Sequence, residues 1–321
     1  MKFISVVIPT YNRAKFIGLT LESFAKQDYP EDFFEIIVIN NNSTDNTVSV
    51  VNKMICKYPL IRYFEEPRQG VHFARNSAIK YAKGDILYYT DDDMIADRNL
   101  LKIITSTFDL DPKIAAVSGR VLPKWETDPP PWIKKYCSNG LLSLNFDETP
   151  INISNELIAI YSCSQAMLKS AFLQSGGFNP ENTMGDWIGD GETGLALKLL
   201  DLGYKLAYNG NAIIYHVIPK SRTTQSYLNK RYANQANCDS YTMYRAQNGL
   251  TNKQLKKQIL SSFKLLVYKV ISAFLNFLTS RDIWRVHLAQ IFYCRNRIIY
   301  DYKLINDEKW RQLVLRRNWF D

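Results

Sequence analysis

Three short apolar runs constrain the fold of this chain more than any other feature, and they span residues 3–8, 35–39 and 86–89. Each run is nearly continuous and rich in β-branched or aromatic residues, which is typical of a strand buried on both faces of a parallel sheet. Helical stretches separate them, at residues 14–25, 44–57 and 72–83. Strands that alternate with helices predict an α/β protein with a doubly wound, mostly parallel sheet.

Polar residues follow each of the three predicted strands. They are Pro9, Thr10, Tyr11, Asn12 and Arg13 after the first strand, Asn40, Asn41, Asn42 and Ser43 after the second, and Asp91, Asp92 and Asp93 after the third. In open α/β sheets, ligands bind beyond the carboxyl ends of the strands. We therefore expect these residues to converge on one ligand site at one edge of the sheet.

The adjacent aspartates Asp91, Asp92 and Asp93 form a candidate cation site. Their carboxylates repel one another, and a divalent cation would remove that repulsion. Mg²⁺ and Mn²⁺ prefer oxygen ligands and commonly use one or two carboxylates together with substrate phosphates. A solvated acidic turn that caps the next helix is the alternative. His216, which follows the apolar residues 212–215, is either a further metal ligand or a structural histidine.

The net charge of +9 lies in the C-terminal part of the chain. Residues 1–250 contain 26 basic and 26 acidic residues, whereas residues 251–321 contain 14 basic and 5 acidic residues. A basic tail on a neutral body suggests an anionic partner, either membrane lipid or nucleic acid. The five cysteines are scattered, which argues against a disulfide framework and favours a reducing, cytoplasmic location.

At these residues the sequence resembles the large family 2 of inverting glycosyltransferases, which have the type A fold. Four segments carry the resemblance, at residues 5–13, 37–45, 70–85 and 89–93. A fifth, Gly176-Gly177-Phe178 followed by Asp190-Gly191-Glu192-Thr193, is similar to the acceptor-side half of that family. The resemblance implies a Rossmann-like nucleotide-diphospho-sugar transferase fold, with a mostly parallel sheet flanked by helices and a C-terminal helical appendage.

The resemblance also implies which residues bind the nucleotide-sugar donor. The first loop would hold the nucleotide, the second would read the base, and the Asp-x-Asp motif would hold the ribose and, through Mn²⁺ or Mg²⁺, the diphosphate. The family usually has an aspartate where this chain has Asn40. The implied donor-binding residues are Pro9, Thr10, Tyr11, Arg13, Asn40, Asn41, Arg75, Asp91 and Asp92. The implied metal ligands are Asp91 and Asp93, and His216 stays a further candidate ligand because of its position at a strand end.

An acidic pair at the start of a helix supplies the catalytic base in this family. Here the segment reads Asp190-Gly191-Glu192, and Glu192 takes the second acidic place. The resemblance therefore implies Glu192 as the base, with Asp190 as the alternative. A carboxylate at a helix N-terminus also stabilises the helix dipole, which gives the other acid a structural interpretation.

The implied reaction transfers a sugar, with UDP as the commonest donor nucleotide of the family, to a hydroxyl of a saccharide or lipid-linked saccharide. Such a reaction suits the assembly of bacterial surface polysaccharide or glycolipid. We expect a catalytic domain at residues 1–222, with a donor-binding half at 1–95 and an acceptor-side half at 96–222. Residues 223–321 then form a basic helical region.

Residues 263–278 are strongly apolar, and four polar residues interrupt them, namely Lys264, Lys269, Ser272 and Asn276. We expect these four near one side of a helix, opposite a broad apolar face. The run is shorter than the ~20 residues needed to cross a bilayer. One interpretation is a peripheral attachment to an anionic membrane, on its cytoplasmic face, through residues 255–300. The other is a helix packed on the catalytic domain.

Two other functions stay open from the sequence. A nucleotidyltransferase usually has a glycine-rich loop after the first strand, whereas the first glycine here is Gly18. A catalytically inactive nucleotide-sugar-binding scaffold is favoured by Asn40 and Gly191, where this chain departs from the family. We expect no nucleic-acid partner, because the basic tail contains no recognised nucleic-acid-binding module.

Overall fold

The computed structural model describes residues 1–179, 182–183, 186–187, 189 and 191–320. The strands are β1 (Ile4–Thr10), β2 (Phe34–Asn40), β3 (Ile61–Glu65), β4 (Ile86–Tyr89), β5 (Met94–Ala96), β6 (Ile114–Trp125), β7 (Asn152–Ser154), β8 (Gln165–Leu168), β9 (Asn182–Thr183), β10 (Asp186–Trp187) and β11 (Lys205–Ile218). The helices are α1 (Ile17–Ala25), α2 (Thr47–Lys57), α3 (Val71–Ser77), α4 (Leu100–Phe108), α5 (Pro131–Tyr136), α6 (Lys169–Ser175), α7 (Gly191–Asp201), α8 (Gln225–Ala246), α9 (Asn252–Leu278), α10 (Trp284–Asn306) and α11 (Glu308–Leu315).

The N-terminal half of the main sheet is parallel, in the order β3-β2-β1-β4. Three of these strands are those predicted from the apolar runs. The pattern missed β3, because this edge strand buries only Ile61 fully and therefore lacks an apolar run. Every residue of β1 and β2 is buried, since helices cover both faces of the sheet.

The rest of the sheet is mixed, so the expectation of a mostly parallel sheet holds only for the N-terminal half. β8 is antiparallel to β4 and β6, and β11 is parallel to β6 but antiparallel to β5 and β7. Gln165, at the start of β8, pairs with Tyr89, at the end of β4. The chain thus enters β8 from the carboxyl edge of β4, which brings the segment before β8 to that edge.

Alternate residues of β1 contribute to two separate hydrophobic cores. Ile4, Val6 and Ile8 belong to the larger core, whereas Val7 belongs to the smaller core on the opposite face. This two-sided burial explains why the strand is apolar at consecutive positions rather than at every second position. It also leaves the strand ends as the places where polar residues reach solvent.

A glycine in β6 permits an irregularity in β11. The register between the two strands shifts between Asn209 and Ile213. A Cβ atom at Gly119 would lie 2.1 Å from the backbone oxygen of Ala212, which is far inside van der Waals contact. Only glycine therefore fits at position 119 while the two strands stay paired on both sides of the bulge.

The C-terminal helices form a layer that packs on the domain that contains the main sheet. α8 contacts α7 and α10, and α10 contacts α9 and α11. A third core lies within this layer and contains Tyr241, Tyr244, Tyr300 and Trp310. The predicted boundary between residues 222 and 223 falls just before α8, and this helix makes direct contact with the sheet domain.

The end of the chain returns to the glycine pair that follows α6. The backbone N–H of Trp319 donates to the carbonyl of Gly176 at 2.8 Å. Gly176 has φ +76°, and a Cβ there would lie 2.6 Å from the backbone oxygen of Arg317. The glycine is therefore required both for its left-handed backbone and for the close approach of the C-terminal segment.

Lys198 of α7 is buried beneath the contact between the glycine pair and the C-terminal segment, and it hydrogen-bonds to both. Its Nζ donates to the carbonyls of Gly177 and, at 3.0 Å, of Arg317. Burial lowers the pKa of this ammonium group to about 7, and the nearby Arg245 and Arg317 add to the decrease. In the folded protein Lys198 therefore loses its proton near pH 7. In the unfolded chain its pKa is the ordinary lysine value of about 10.4.

Replacing Lys198 by Met is expected to flatten the pH dependence of stability. Between pH 7 and pH 10 the unfolded wild-type chain binds more protons than the folded one, so its free energy of unfolding rises with pH. Urea unfolding at pH 7, 8 and 9 measures this rise. Lys205→Met is the matched control, because Lys205 pairs with Asp111 outside this contact and its loss should keep the rise. If the free energy of unfolding rises equally with pH in Lys198→Met and in wild type, the prediction is wrong.

Candidate active site

A cavity of about 760 Å³ opens at the carboxyl edge of β1 and β4. The loops after these strands, the segment before β8, the start of α7 and one face of α8 line it. The predicted site residues that line it are Pro9, Thr10, Tyr11, Arg13, Asn41, Arg75, Asp91, Asp92, Asp93 and Glu192. The convergence expected from the three strand ends is therefore present in the structure.

The first two loops are locked together through Asn12, which has φ +53°. Its backbone N–H donates to Ser43 Oγ at 3.0 Å, and its Oδ1 accepts from the backbone N–H of Thr44 at 2.7 Å. The Arg13 N–H donates to Thr47 Oγ1 at 2.8 Å. These bonds fix the backbone of the first loop, where Tyr11 is 48% exposed beside the cavity.

Asn40 and Asn41 have different positions, although both were predicted to bind the donor. Asn40 is buried, its Oδ1 accepts from the backbone N–H of Ser43 at 3.1 Å, and it does not line the cavity. Asn41 lines the cavity and fastens the next loop, because its amide donates to the carbonyls of Glu66 and Arg68 and its Oδ1 accepts from the N–H of Gly70. Asn41 therefore contacts the cavity as predicted for a donor-binding residue, whereas Asn40 does not.

Each of the three aspartates has an arginine partner. Asp91 Oδ1 accepts from Arg75 at 2.7 Å. Asp92 Oδ1 lies 3.3 Å from Arg13 Nε, and Asp93 Oδ2 lies 3.0 Å from Arg222. The residues involved are Asp91, Asp92, Asp93, Arg13, Arg75 and Arg222. The alternative of a solvated acidic turn does not describe this arrangement, because Asp92 and Asp93 are buried.

The two buried carboxyl groups differ in their affinity for protons. Burial, and next the neighbouring Asp93 carboxylate, raise the pKa of Asp92 to about 7. Burial also opposes ionisation of Asp93, but His216, Arg222 and Arg13 outweigh it and lower the pKa of that carboxyl to about 2. Asp93 is therefore the carboxylate that stays fully ionised at neutral pH.

His216 lies beside Asp93 at the end of β11, just outside the cavity lining. Its Nδ1 lies 2.9 Å from the carbonyl of Leu142, and its Nε2 lies 2.6 Å from Arg222 and 3.7 Å from Asp93 Oδ1. A carbonyl can only accept, so Nδ1 carries a proton, and Nε2 is the ring nitrogen that faces Arg222 and Asp93. This is the arrangement that metal-binding histidines commonly have.

Among the residues that the structure describes, no three His, Cys, Asp or Glu side chains are grouped as a metal site. Asp93 Oδ1 and His216 Nε2 are 3.7 Å apart, and two ligand atoms that each lie about 2.1 Å from one ion are separated by roughly 3–4 Å. Carboxylate oxygen is a ligand that Mg²⁺ and Mn²⁺ prefer, and imidazole binds several first-row transition metals. Arg222 was not predicted from the sequence, and its guanidinium supplies the positive charge next to both side chains.

Glu192 opens α7 and lines the same cavity as the aspartates. Its Oε1 accepts hydrogen bonds from the hydroxyl and, at 3.2 Å, from the backbone N–H of Ser162. Arg75 NH1 lies 3.9 Å from the same oxygen. The buried Arg75 therefore lies between Glu192 and Asp91 and connects the candidate base with the first aspartate of the Asp-x-Asp motif. Asp190, the alternative base, lies outside the described residues.

The structure explains why this chain has glycine at position 191. A Cβ there would lie 2.4 Å from His72 Nε2 and 2.7 Å from the backbone oxygen of Asn179. His72 is fully buried and stacks on Phe178 with ring centroids 5.0 Å apart. The histidine ring thus takes the space that a side chain at position 191 would need. The sequence pattern gave no sign that His72 and Gly191 are in contact.

Gly191→Ala is expected to lower stability by roughly 1–3 kcal/mol, because the added methyl group overpacks this contact. Adding His72→Ala should recover only part of the loss, since Asn179 also approaches the position. Thermal melts of the single and double variants test this. A neutral effect of Gly191→Ala would mean that His72 moves freely, and the steric account of Gly191 would be wrong.

The other side of the cavity contains residues that the sequence patterns did not reveal. α8 contributes Arg231, Asn234, Gln235 and Cys238, and the segment before β8 contributes residues 157–163. The Arg231 Nε donates to the carbonyl of Leu141 at 2.8 Å, which fixes the guanidinium at the cavity wall. The face of α8 that lines the cavity is polar in sequence, and this polarity was the one available sign of a ligand-binding role. The sequence did not show that this face lies beside the strand ends.

The profile of glycosyl transferase family 2 matches residues 5–177, which is more than half of the chain. The chain belongs to that family. Two curated relatives show the extent of the likeness. The poly(ribitol-phosphate) β-N-acetylglucosaminyltransferase TarS of Staphylococcus aureus is 37% identical over 131 residues, which are 39% of this chain and 23% of TarS. A dolichyl N-acetyl-α-D-glucosaminyl phosphate 3-β-D-2,3-diacetamido-2,3-dideoxy-β-D-glucuronosyltransferase of Methanococcus voltae is 32% identical over 125 residues, which are 37% of this chain and 39% of that protein.

Solved structures share the fold over nearly the whole chain. The mannosyltransferase PcManGT of Pyrobaculum calidifontis, in complex with GDP-Man and Mn²⁺, has a TM-score of 0.64 at 20% identity, with 96% of this chain and 88% of that chain covered. S. aureus TarS 1-349 in complex with UDP-GlcNAc has a TM-score of 0.51 at 17% identity, with 94% and 91% covered. This family 2 chain therefore has the type A glycosyltransferase fold, as the resemblance implied.

Proposed function

We propose that this family 2 chain is a metal-dependent inverting glycosyltransferase that moves a sugar from a nucleotide-sugar donor to an acceptor hydroxyl. The observation that carries the proposal is the charge network in one cavity. Arg75 connects Asp91 with Glu192, and Asp93 lines the same cavity, so candidate metal ligands and a proton acceptor lie within reach of one substrate.

The donor occupies the side of the cavity formed by the first two loops. Tyr11 and the backbone of the fixed first loop contact the nucleoside, and Asn41 closes the base side. Arg13, Arg75 and Arg222 line the path of the diphosphate. We propose a UDP-sugar, which is supported by the likeness to a structure that contains UDP-GlcNAc.

Asp93 and His216 would hold the divalent ion, with Asp91 completing the carboxylate set. When bound, the ion would stabilise the negative charge of the departing nucleoside diphosphate. The likeness to a structure with GDP-Man and Mn²⁺ supports this role. Arg222, which pairs with Asp93 in this structure, is then free to pair with a phosphate oxygen.

Glu192 acts as the general base. Its carboxylate accepts the proton from the acceptor hydroxyl while the oxygen of that hydroxyl bonds to the anomeric carbon and the diphosphate departs from the opposite side. One displacement of this kind inverts the anomeric centre. The bonds from Ser162 orient the carboxylate, and the Arg75 guanidinium lies 3.9 Å from it.

The acceptor occupies the wall built by α8 and residues 157–163. We propose a saccharide, free or carried on a lipid, that is being assembled into a surface polysaccharide or glycolipid at the cytoplasmic face of the membrane. The likeness to relatives named for poly(ribitol-phosphate) and for dolichyl N-acetyl-α-D-glucosaminyl phosphate supports that class.

A donor screen tests the proposal. The purified chain is incubated with UDP-, GDP- and other nucleotide sugars, with Mn²⁺, Mg²⁺ or EDTA, while thermal stabilisation and release of nucleoside diphosphate are recorded. We expect one donor to stabilise the protein and to be hydrolysed slowly in the presence of metal. Binding without hydrolysis, even when saccharide acceptors are added, would favour the inactive scaffold. No stabilisation by any donor would overturn the proposal.

A further inference from the structure

The outward face of α9 is an unusually large exposed apolar surface. Among its side chains, Val267, Val270, Ile271, Phe274, Phe277 and Leu278 are between 44% and 62% exposed. In the described part of the chain, α9 is the helix that is long and apolar enough to cross a membrane. An apolar surface of this extent on a single helix marks an interaction site.

From Ser262 onward, the polarity of α9 is reversed relative to a helix that packs on a water-soluble core, whereas Leu255 near its start is buried in the third core. Its inner side contains Ser262 and Ser272, each 9% exposed, together with the half-buried Lys269 and Asn276. Lys264 is exposed, so the expectation that it shares one side with the other polar residues is wrong. A soluble helix turns apolar side chains inward, whereas helices in lipid use small and polar residues at their contacts.

The charges of α9 favour an anionic partner. The helix contains five lysines and no acidic residue. Lys253, Lys256 and Lys257 are exposed in its first two turns, next to the apolar stretch. Basic residues beside an apolar helix face are attracted to the negative surface of a bilayer that contains anionic lipid.

The partner helix determines that α9 lies on the membrane rather than across it. α9 packs along α10, and α10 contains Arg285, His287, Arg295 and Arg297. A crossing helix would carry this charged neighbour into the hydrocarbon, which is costly. Lying flat, α9 inserts only its outward face while α10 stays on the aqueous side.

We propose that α9 is a membrane-docking surface that inserts residues 263–278 into the interface of an anionic bilayer. This inference goes beyond the proposed transferase reaction and does not depend on it. The docked helix also orients the enzyme. α10 packs on α9, α8 packs on α10, and α8 lines the cavity, so the acceptor wall lies on the order of 20 Å above the membrane, at 8–10 Å per helix pair.

Co-flotation of the full chain with phosphatidylcholine vesicles, with and without phosphatidylglycerol, tests the proposal. We expect the chain to float with the anionic vesicles. Ile271→Asp/Phe274→Asp should reduce binding by at least about tenfold, because it places two charges in the inserted face. Lys256→Gln/Lys257→Gln should reduce binding to anionic vesicles by about tenfold and make it less dependent on salt.

Leu110→Asp/Leu173→Asp is the matched control, since both leucines are about half exposed away from α9, and it should bind as wild type. Quenching of Trp284, whose ring lies 5.5 Å from Phe277, by brominated lipid reports contact with the bilayer. Vesicle binding is measured without donor, so failure of the transferase assay leaves this test intact. Failure of the wild type to bind vesicles, or equal loss in the control, would overturn the proposal. So would a dimer in ultracentrifugation that Ile271→Asp/Phe274→Asp dissociates without any vesicle binding.

Discussion

Glu192→Gln is expected to reduce the rate of sugar transfer by about 10²–10⁴-fold and to leave donor affinity near the wild-type value. The amide has nearly the same shape, and its oxygen still accepts from Ser162, so the cavity keeps its geometry. It has no basic lone pair for the acceptor proton, which removes the step that the carboxylate performs. Single-turnover transfer and donor binding by calorimetry measure the two quantities separately.

Asp201→Asn is the control for this variant, because Asp201 is an exposed acid of the same helix whose only described role is a surface pair with Arg317. Such pairs contribute little, and we expect unchanged kinetics. If Glu192→Gln retains near-normal turnover, the base is a different residue, and Asp190→Asn becomes the next variant to measure.

Asp93→Asn is expected to abolish the metal-dependent part of donor binding, a decrease of roughly 100-fold or more in the presence of Mn²⁺. Loss of groups that only support a metal ligand already lowers metal affinity by 10–100-fold, and Asp93 is a proposed ligand itself. Its low pKa keeps it ionised over the neutral range, so the wild-type protein presents this carboxylate to the metal throughout that range.

Calorimetric titrations of the protein with donor, one in the presence of Mn²⁺ and one in the presence of EDTA, separate the metal-dependent part of the donor affinity from the rest. Asp28→Asn, a change of an exposed aspartate, is the control and should bind donor as wild type. Thermal melts establish that Asp93→Asn still folds, since the change also leaves Arg222 without its carboxylate partner. Equal donor affinity for wild type and Asp93→Asn, with and without metal, would remove the metal assignment.

The sheet shows where sequence patterns succeed and where they stop. β1, β2 and β4 are buried on both faces, so each leaves a continuous apolar run that is visible without the fold. β3 is an edge strand with Arg62 and Glu65 among its residues, and no such run exists. β8 is antiparallel to its neighbours because of the path that the chain takes before it. The pattern of apolar and polar residues within this four-residue strand contains no information about that direction.

The candidate site divides in the same way. The Asp-x-Asp motif and Glu192 could be predicted because their residues are close in sequence and resemble a family pattern. The roles of Arg222, Arg231 and His72 depend on contacts with residues far away in the chain, namely Asp93, Leu141 and Gly191. Likewise, only the folded structure shows that Asn40 accepts a hydrogen bond from the backbone N–H of Ser43 and does not line the cavity.

The sequence by itself determined the α/β class, the family, the strand ends that form the site, and the basic, partly apolar C-terminal region. Only the tertiary structure decided the mixed order of the sheet, the arginine partners of the three aspartates and the outward orientation of the apolar face of α9. The physical reason is the range of the interactions. Burial and helical periodicity act on residues close in sequence and leave local patterns, whereas ion pairs and helix packing join distant residues and appear only when the chain is folded.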